Sequence, residues 1–318
     1  MYETLRKGVR NPEKILSRGR RYVGRAQNRI AGCDVMDEDW DNLLILDACR
    51  FDMFERLNSV PGELQWRRSK GSATREFVQN NFAGKRFHDC VYVTGNPFVS
   101  MDASDAFHAV VDVWDAHWDD DLETVTPDTM REALFRAEAE YPNKRLVGHF
   151  VQPHHPFIGP TGRDLLGDTS GNRRARERAL NMNSETADAP PNVERRVWQL
   201  AETGDLDLEM LRRAYDENLE VALPIVEELV ETLRGKTVVT SDHGNLIDEP
   251  AYRVLSAGSR RFGHPMYATA EALVKVPWLV CRAETRKRVV SEPPTAQKRS
   301  ASAGGAVVDD RLEALGYK

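Results

Sequence analysis

The sequence contains no apolar run approaching the roughly 18 residues that a membrane-spanning helix requires, so no transmembrane segment is expected. Its opening residues also lack the apolar h-region of a secretory signal, which makes a cytoplasmic location the expectation. Cysteine is sparse: Cys33, Cys49, Cys90 and Cys281 are scattered, with no CxxC pair. That spacing excludes a zinc ribbon or a thioredoxin-type site and suits reduced thiols. Nor is there an excess of one charge. Charged residues make up 30% of the chain, yet the net charge is only −6, whereas a global nucleic-acid binder is strongly basic. No internal repeat is present. What remains is a chain of 318 residues, 41% of them apolar, enough for one large buried core.

Five short apolar runs stand out, at residues 42–46, 91–93, 146–151, 237–240 and 276–280. Each is β-branched or leucine-rich and too short for a helix, so each reads as a buried strand. Helical patterns lie between them. Residues 127–141 place Met130, Leu134 and Ala137 on one face. Residues 206–233 repeat Leu211, Tyr215, Leu219, Leu223 and Val226 at three- and four-residue steps, with Gly235 as the expected C-cap. Strands alternating with helices predict an α/β three-layer sandwich, a mostly parallel central sheet flanked by helices. In such folds the ligand site lies beyond the carboxyl ends of the strands.

Two segments that flank a main domain at 37–282, and one insertion within it, differ in composition. Residues 1–36 form a basic arm with Leu5, Val9, Ile15, Leu16, Tyr22 and Val23 interspersed. Such an arm either lies on an anionic membrane surface as a peripheral contact or packs on the domain as a solvated helix. Residues 161–196 are polar and charged and suit a surface insertion or lid. The tail, 283–318, begins with a Lys-, Arg-, Ser-, Pro- and Gly-rich stretch expected to be loosely ordered. It ends in a helical pattern over 309–317 that can dock back.

Chemically loaded residues follow the strand runs. Asp47 ends the first, and Arg50 and Asp52 come next: a carboxylate for a divalent cation and a guanidinium for an anionic oxygen, or equally a helix N-cap. The second run ends at Thr94-Gly95-Asn96-Pro97, which makes Asn96 a candidate substrate contact. The third delivers His154 and His155 between prolines, placed to bind metal, a phosphoryl oxygen or a leaving group. The fourth runs into Ser241-Asp242-His243-Gly244, a carboxylate and an imidazole at one tight turn that Gly244 permits. His264, between Gly263 and Pro265, is a candidate ligand on a returning loop. Ser72 and Thr74 precede a helical pattern at 75–82, where a hydroxyl beside a cation and a helix N-terminus can ionise. An ordinary N-cap fits them too.

Together these signals resemble the alkaline phosphatase and sulfatase superfamily, over about residues 41–280. LDACRFD is similar to the entry motif of sulfatase-like proteins, and HHPF looks like the corresponding loop of lipoteichoic acid synthase-type phosphotransferases. VTSDHGN is the most specific match. The resemblance implies Asp47, Asp242 and His243 as metal ligands, Thr74 as nucleophile and ligand, His154 as a substrate contact and His264 as ligand to a second ion. Ser72 is the alternative nucleophile. Ser72, His155 and Asn96 are expected to line the substrate site, with Arg50 neutralising a non-bridging oxygen.

The implied activity is a metal-dependent phosphoester hydrolase or phosphotransferase. Its substrate is a small-molecule or lipid-linked phosphoester, and mixed oxygen and nitrogen ligands favour zinc or manganese. Two departures bear on this. No cysteine or serine sits in the motif that matures to formylglycine, which argues against the alternative of a sulfuric ester hydrolase. The stretch Tyr215-Asp216-Glu217-Asn218 is followed by no histidine, so one ion is as consistent as two. That gap also leaves open a catalytically degenerate binding protein on the same scaffold.

Overall fold

The computed structural model describes residues 12–166, 193–252, 261–294 and 305–315. Its strands are β1 (Asn42–Asp47), β2 (Glu63–Arg68), β3 (Phe87–Thr94), β4 (Phe107–Asp112), β5 (Arg145–Pro153), β6 (Thr237–Ser241), β7 (Leu246–Glu249), β8 (Arg261–Gly263) and β9 (Lys275–Cys281). All five apolar runs become strands of one seven-stranded sheet with the order β2-β9-β6-β1-β5-β3-β4. β6, β1, β5, β3 and β4 pair in parallel, and β9 alone runs against the rest. β7 and β8 form a separate hairpin.

The strand sequences are apolar at consecutive positions because both faces of the sheet are covered. Leu44 and Leu46 point into one core with Val91, Val93 and Leu146. Leu43 and Ile45 point into the other with Tyr92, Val147 and Val238. The helices sort accordingly. In chain order they are α1 (Pro12–Ala31), α2 (Phe51–Leu57), α3 (Thr74–Asn81), α4 (Phe98–Asp102), α5 (Val113–Ala116), α6 (Pro127–Glu140), α7 (Pro160–Leu166), α8 (Val193–Thr203), α9 (Leu208–Thr232), α10 (Glu271–Val274) and α11 (Gly305–Ala314). Met53 and Phe54 of α2, Met130 and Leu134 of α6, and Leu211, Leu219 and Leu223 of α9 fill the first core. Phe77 and Val78 of α3 and Phe98 and Val99 of α4 fill the second. The result is the expected three-layer α/β sandwich.

Three details differ from the sequence reading. Helix α9 ends with Leu233 as its extended cap residue, so Gly235, at φ +91°, belongs to the turn beyond rather than to the cap itself. β2 and β4 were not legible, because ELQWRR is charged and lies at a sheet edge, and FHAVVD carries a polar residue at either end of a short run. The start of the tail is tied down rather than loose. Val290 N donates to Asn143 O at 2.9 Å and Glu292 N to His88 O at 3.1 Å, while Arg286 bridges Asp39 and Asp41. Of the polar stretch at 161–196, the ends belong to α7 and α8, and residues 167–192 lie outside those described, as do 1–11 and 295–304.

Every strand of the seven-stranded sheet except β9 sends its carboxyl end to the same edge. Asp47, Ser69, Asn96, His154 and Asp242 all follow strand ends there, and β9 starts from it. Topology alone therefore gathers the chemically loaded residues.

Candidate active site

Asp47, Asp242 and His243 converge at the centre of that edge, all buried, each offering a ligand atom within 4.8 Å of the others. β1 and β6 are paired neighbours, so their final carboxylates lie side by side without any loop having to reach. The turn after Asp47 puts Ala48 at φ +60°, in the left-handed region that costs a non-glycine residue about 1 kcal/mol or more. Its amide donates to Asp242 Oδ1 at 3.0 Å, and the Tyr215 hydroxyl donates to its carbonyl. Asp242 Oδ1 also takes the His243 amide at 2.8 Å. That oxygen is saturated, which leaves Oδ2 for the site.

His243 donates Nδ1–H to Gly244 O at 2.7 Å, so its Nε2 presents a lone pair. Nε2 lies 3.5 Å from Asp47 Oδ1 and 3.4 Å from Asp242 Oδ2. Three acceptors thus face one another in a buried pocket, and Asp242 Oδ2 has no hydrogen-bond partner. Buried charge in that arrangement is unfavourable unless a cation sits between the lone pairs. Thr74 Oγ1, at the start of α3, lies 3.1 Å from His243 Nε2 and 3.3 Å from Asp47 Oδ1. Four donors arranged around an ion at about 2.1 Å have edges of roughly 3.4 Å in a tetrahedron. The donor set and its spacing therefore fit a divalent metal.

Gly244 is required by close approach rather than by its φ. A Cβ there would stand 2.0 Å from Ala272 O, and its amide donates to Leu273 O at 2.8 Å. The turn is thereby fastened to α10, the helix that leads into β9.

The other expected residues fall into two groups. Asn96 donates to Asp47 Oδ2 at 3.4 Å and accepts from Phe98 N at 3.3 Å, so it orients the carboxylate. His154 Nε2 stands 2.8 Å from His264 Nε2, and the His264 ring lies 4.7 Å from that of His243. These two histidines form a pair beside the triad.

Ser72, Arg50 and His155 are engaged elsewhere. Ser72 Oγ bonds Glu76 Oε2 at 3.0 Å and Pro265 O at 2.9 Å and accepts from Ala268 N; it fastens the His264 loop to α3, and Thr74 is the hydroxyl facing the triad. Arg50, expected to hold a phosphoryl oxygen, bonds Asp52, Glu249 and the Asn245 carbonyl. Asp52 and Glu249 take up its fork and raise its pKa further despite burial. His155 is buried edge-on against Phe157.

Two residues that the sequence reading passed over support the site. His149, inside β5, is fully buried, with Nε2 3.8 Å from Asp242 Oδ2 and Nδ1 2.9 Å from the Tyr92 hydroxyl. Burial pushes its pKa down to about 4, so it is neutral near pH 7. Asn218 of α9 donates to the carbonyls of Pro153, His154 and Pro156 and accepts from Ile158 N at 2.8 Å. It holds the whole His154 loop.

No protein-family model matches the chain, and no curated protein sequence does. Among solved structures it is similar to the C-terminal periplasmic domain of phosphoethanolamine transferase EptC from Campylobacter jejuni, at 14% identity over 75% of this chain and 77% of that one, with a TM-score of 0.45. It is also similar to the integral membrane lipooligosaccharide phosphoethanolamine transferase A from Neisseria meningitidis, at 13% identity over 76% of this chain and 47% of that one, with a TM-score of 0.43. The soluble domain of the latter gives 12% identity, 76% coverage of each chain and a TM-score of 0.42.

Proposed function

We propose that the chain is a metal-dependent phosphoester transferase with Thr74 as its nucleophile, and that hydrolysis is the same reaction with water as acceptor. The observation that carries this is the placement of Thr74 Oγ1. It sits at a helix N-terminus, 3.1 Å from His243 Nε2 and 3.3 Å from Asp47, among donors spaced as metal ligands.

A divalent ion, held by Asp47, Asp242 and His243, would supply Lewis acidity that favours loss of the Thr74 hydroxyl proton to solvent. Thr74 Oγ1 then attacks phosphorus, forming a threonine–phosphorus ester bond as the bond to the leaving oxygen breaks. The leaving oxygen takes a proton from the His154 and His264 pair, whose Nε2 atoms lie 2.8 Å apart. An acceptor hydroxyl, or water, displaces Thr74 in a second in-line step and returns that proton to the pair. Asn96 keeps Asp47 turned toward the site throughout. Zinc and manganese both suit two carboxylates and an imidazole, and a single ion accounts for the triad.

The test is metal content and turnover measured together, on protein reconstituted with zinc or manganese. Nitrophenyl phosphate, bis-nitrophenyl phosphate and a nitrophenyl phosphodiester bearing a lipid chain, each with and without an added alcohol acceptor, report the ester class. Metal-dependent cleavage that disappears in Thr74→Ala, together with a phosphothreonine peptide trapped from the wild type, is the expected result. Cleavage undiminished in Thr74→Ala would overturn the assignment of the nucleophile.

A further inference from the structure

Helix α1 is amphipathic, and it docks by the wrong face for a soluble protein. An ordinary surface helix buries its apolar stripe against the domain. Here Leu16, Val23 and Ile30 recur at seven-residue steps and so share one face, with Tyr22 at its margin. They are 54%, 62%, 82% and 78% exposed, respectively. The buried positions are instead Gly24 and Asn28, one turn apart on another face.

The docked face is built, not incidental. A Cβ at residue 24 would stand 2.0 Å from Tyr267 O. Asn28 Nδ2 donates to Ala268 O at 2.9 Å and to Glu76 Oε1 at 3.2 Å, and its Oδ1 accepts from Arg68. Arg21 and Arg25 lie over the Tyr267 ring. The helix therefore rests on the loop that carries His264 and on the helix that carries Thr74, with its apolar stripe turned away from both.

The stripe's surroundings say what covers it. Lys14, Arg18, Arg20, Arg21, Arg25 and Arg29 against Glu13 alone give α1 a net charge of +5, in a chain whose total is −6. A second copy of the helix would bring like charges together. An anionic lipid surface offers apolar depth for the stripe and phosphate oxygens for the flanking guanidinium groups. No described helix is long and apolar enough to cross a membrane, so the contact is one that lies on the surface.

We infer that α1 is a peripheral membrane anchor, docking the apolar stripe Leu16, Val23, Ile30 and Tyr22 into an anionic bilayer. Its seat on the Thr74 and His264 segments holds the candidate active site next to the lipid headgroups. The inference concerns where the domain sits and is independent of the chemistry proposed above.

Sedimentation of the full chain with phosphatidylcholine vesicles, with and without phosphatidylglycerol, tests it directly. The wild type is expected to co-sediment with the anionic vesicles and to be released by salt. Val23→Glu combined with Ile30→Glu, both at exposed positions, should lower the partition coefficient by about tenfold or more. The thermal midpoint of that variant should match the wild type. Wild-type protein that stays in the supernatant, or a double variant that partitions as the wild type does, overturns the inference. So does lipid-independent self-association that the double variant abolishes, which would give the stripe to a second copy. None of these outcomes reads metal or turnover.

Discussion

The two carboxylates of the triad are held differently, and their replacement should fail differently. Asp242 commits Oδ1 to two backbone amides and keeps Oδ2 for the site. Asp242→Ala removes a candidate ligand and also leaves the strained Ala48 turn without its anchor, so we expect loss of metal together with a lowered thermal midpoint. Thr74→Ala removes only a hydroxyl. Metal content, read by elemental analysis, should persist in it while turnover falls more than about 1,000-fold. His149 stands beside Asp242, its Nε2 3.8 Å from Oδ2. His149→Phe keeps the ring but withdraws a polar neighbour from Oδ2, and outer-shell losses of this kind cost about 10- to 100-fold in metal affinity. A competition titration with a zinc-binding dye measures that shift, with circular dichroism to show that the fold is kept.

Elements were more legible than the residues that tie them together. The strands could be read because both sheet faces are buried, which writes β1 as NLLIL and β6 as TVVT, runs that no helix of that length produces. The Asp47 and Asp242-His243 positions were legible for the same reason, since they interrupt such runs where the chain leaves the sheet. His149 sits inside a run of the same kind, and only the neighbouring Tyr92 and Asp242, both remote in sequence, reveal it. The Arg50 pairing with Glu249 was not legible, because that partner comes from β7, 199 residues later. Asn218 looked like one more polar position on a helix. Its four partners come from a loop some 60 residues earlier, so nothing local marks it. Asn218→Leu fills a similar volume but leaves those groups unpaired, and we expect a stability loss of about 2–3 kcal/mol in urea unfolding. Activity should fall further than stability explains, because His154 rides on that loop. The tail offers an element-scale test in acid. Hydrogen bonds from Arg286 and Lys236 draw Asp39 down to about 2 from its ordinary 3.8. A depressed carboxylate stabilises the fold above its unfolded value and loses that contribution as pH falls through the folded one. Thermal midpoints of wild type and Asp39→Asn should therefore differ slightly at pH 6 and converge near pH 2, with salt shrinking the gap because the pair is exposed.

Across the whole molecule, the site is a junction of segments that begin far apart. Ala48 and Asp242 meet over a separation of 194 residues, because β1 waits for β6 to close beside it. A chain interrupted between Thr74 and β6 contains Asp47 and Thr74 but neither Asp242 nor His243. Metal retention, if the triad holds an ion, would therefore report that β1 and β6 have paired. Conversely, an ion bound only by the assembled sheet resists its unravelling, by about 2.7 kcal/mol when the free metal is a hundredfold above its dissociation constant. Chelation should then lower the thermal midpoint of the wild type and leave Asp242→Ala unmoved, and release of metal during denaturation should track loss of the sheet in a single step. A quality-control protease would meet the unmetallated chain as a looser substrate than the finished one.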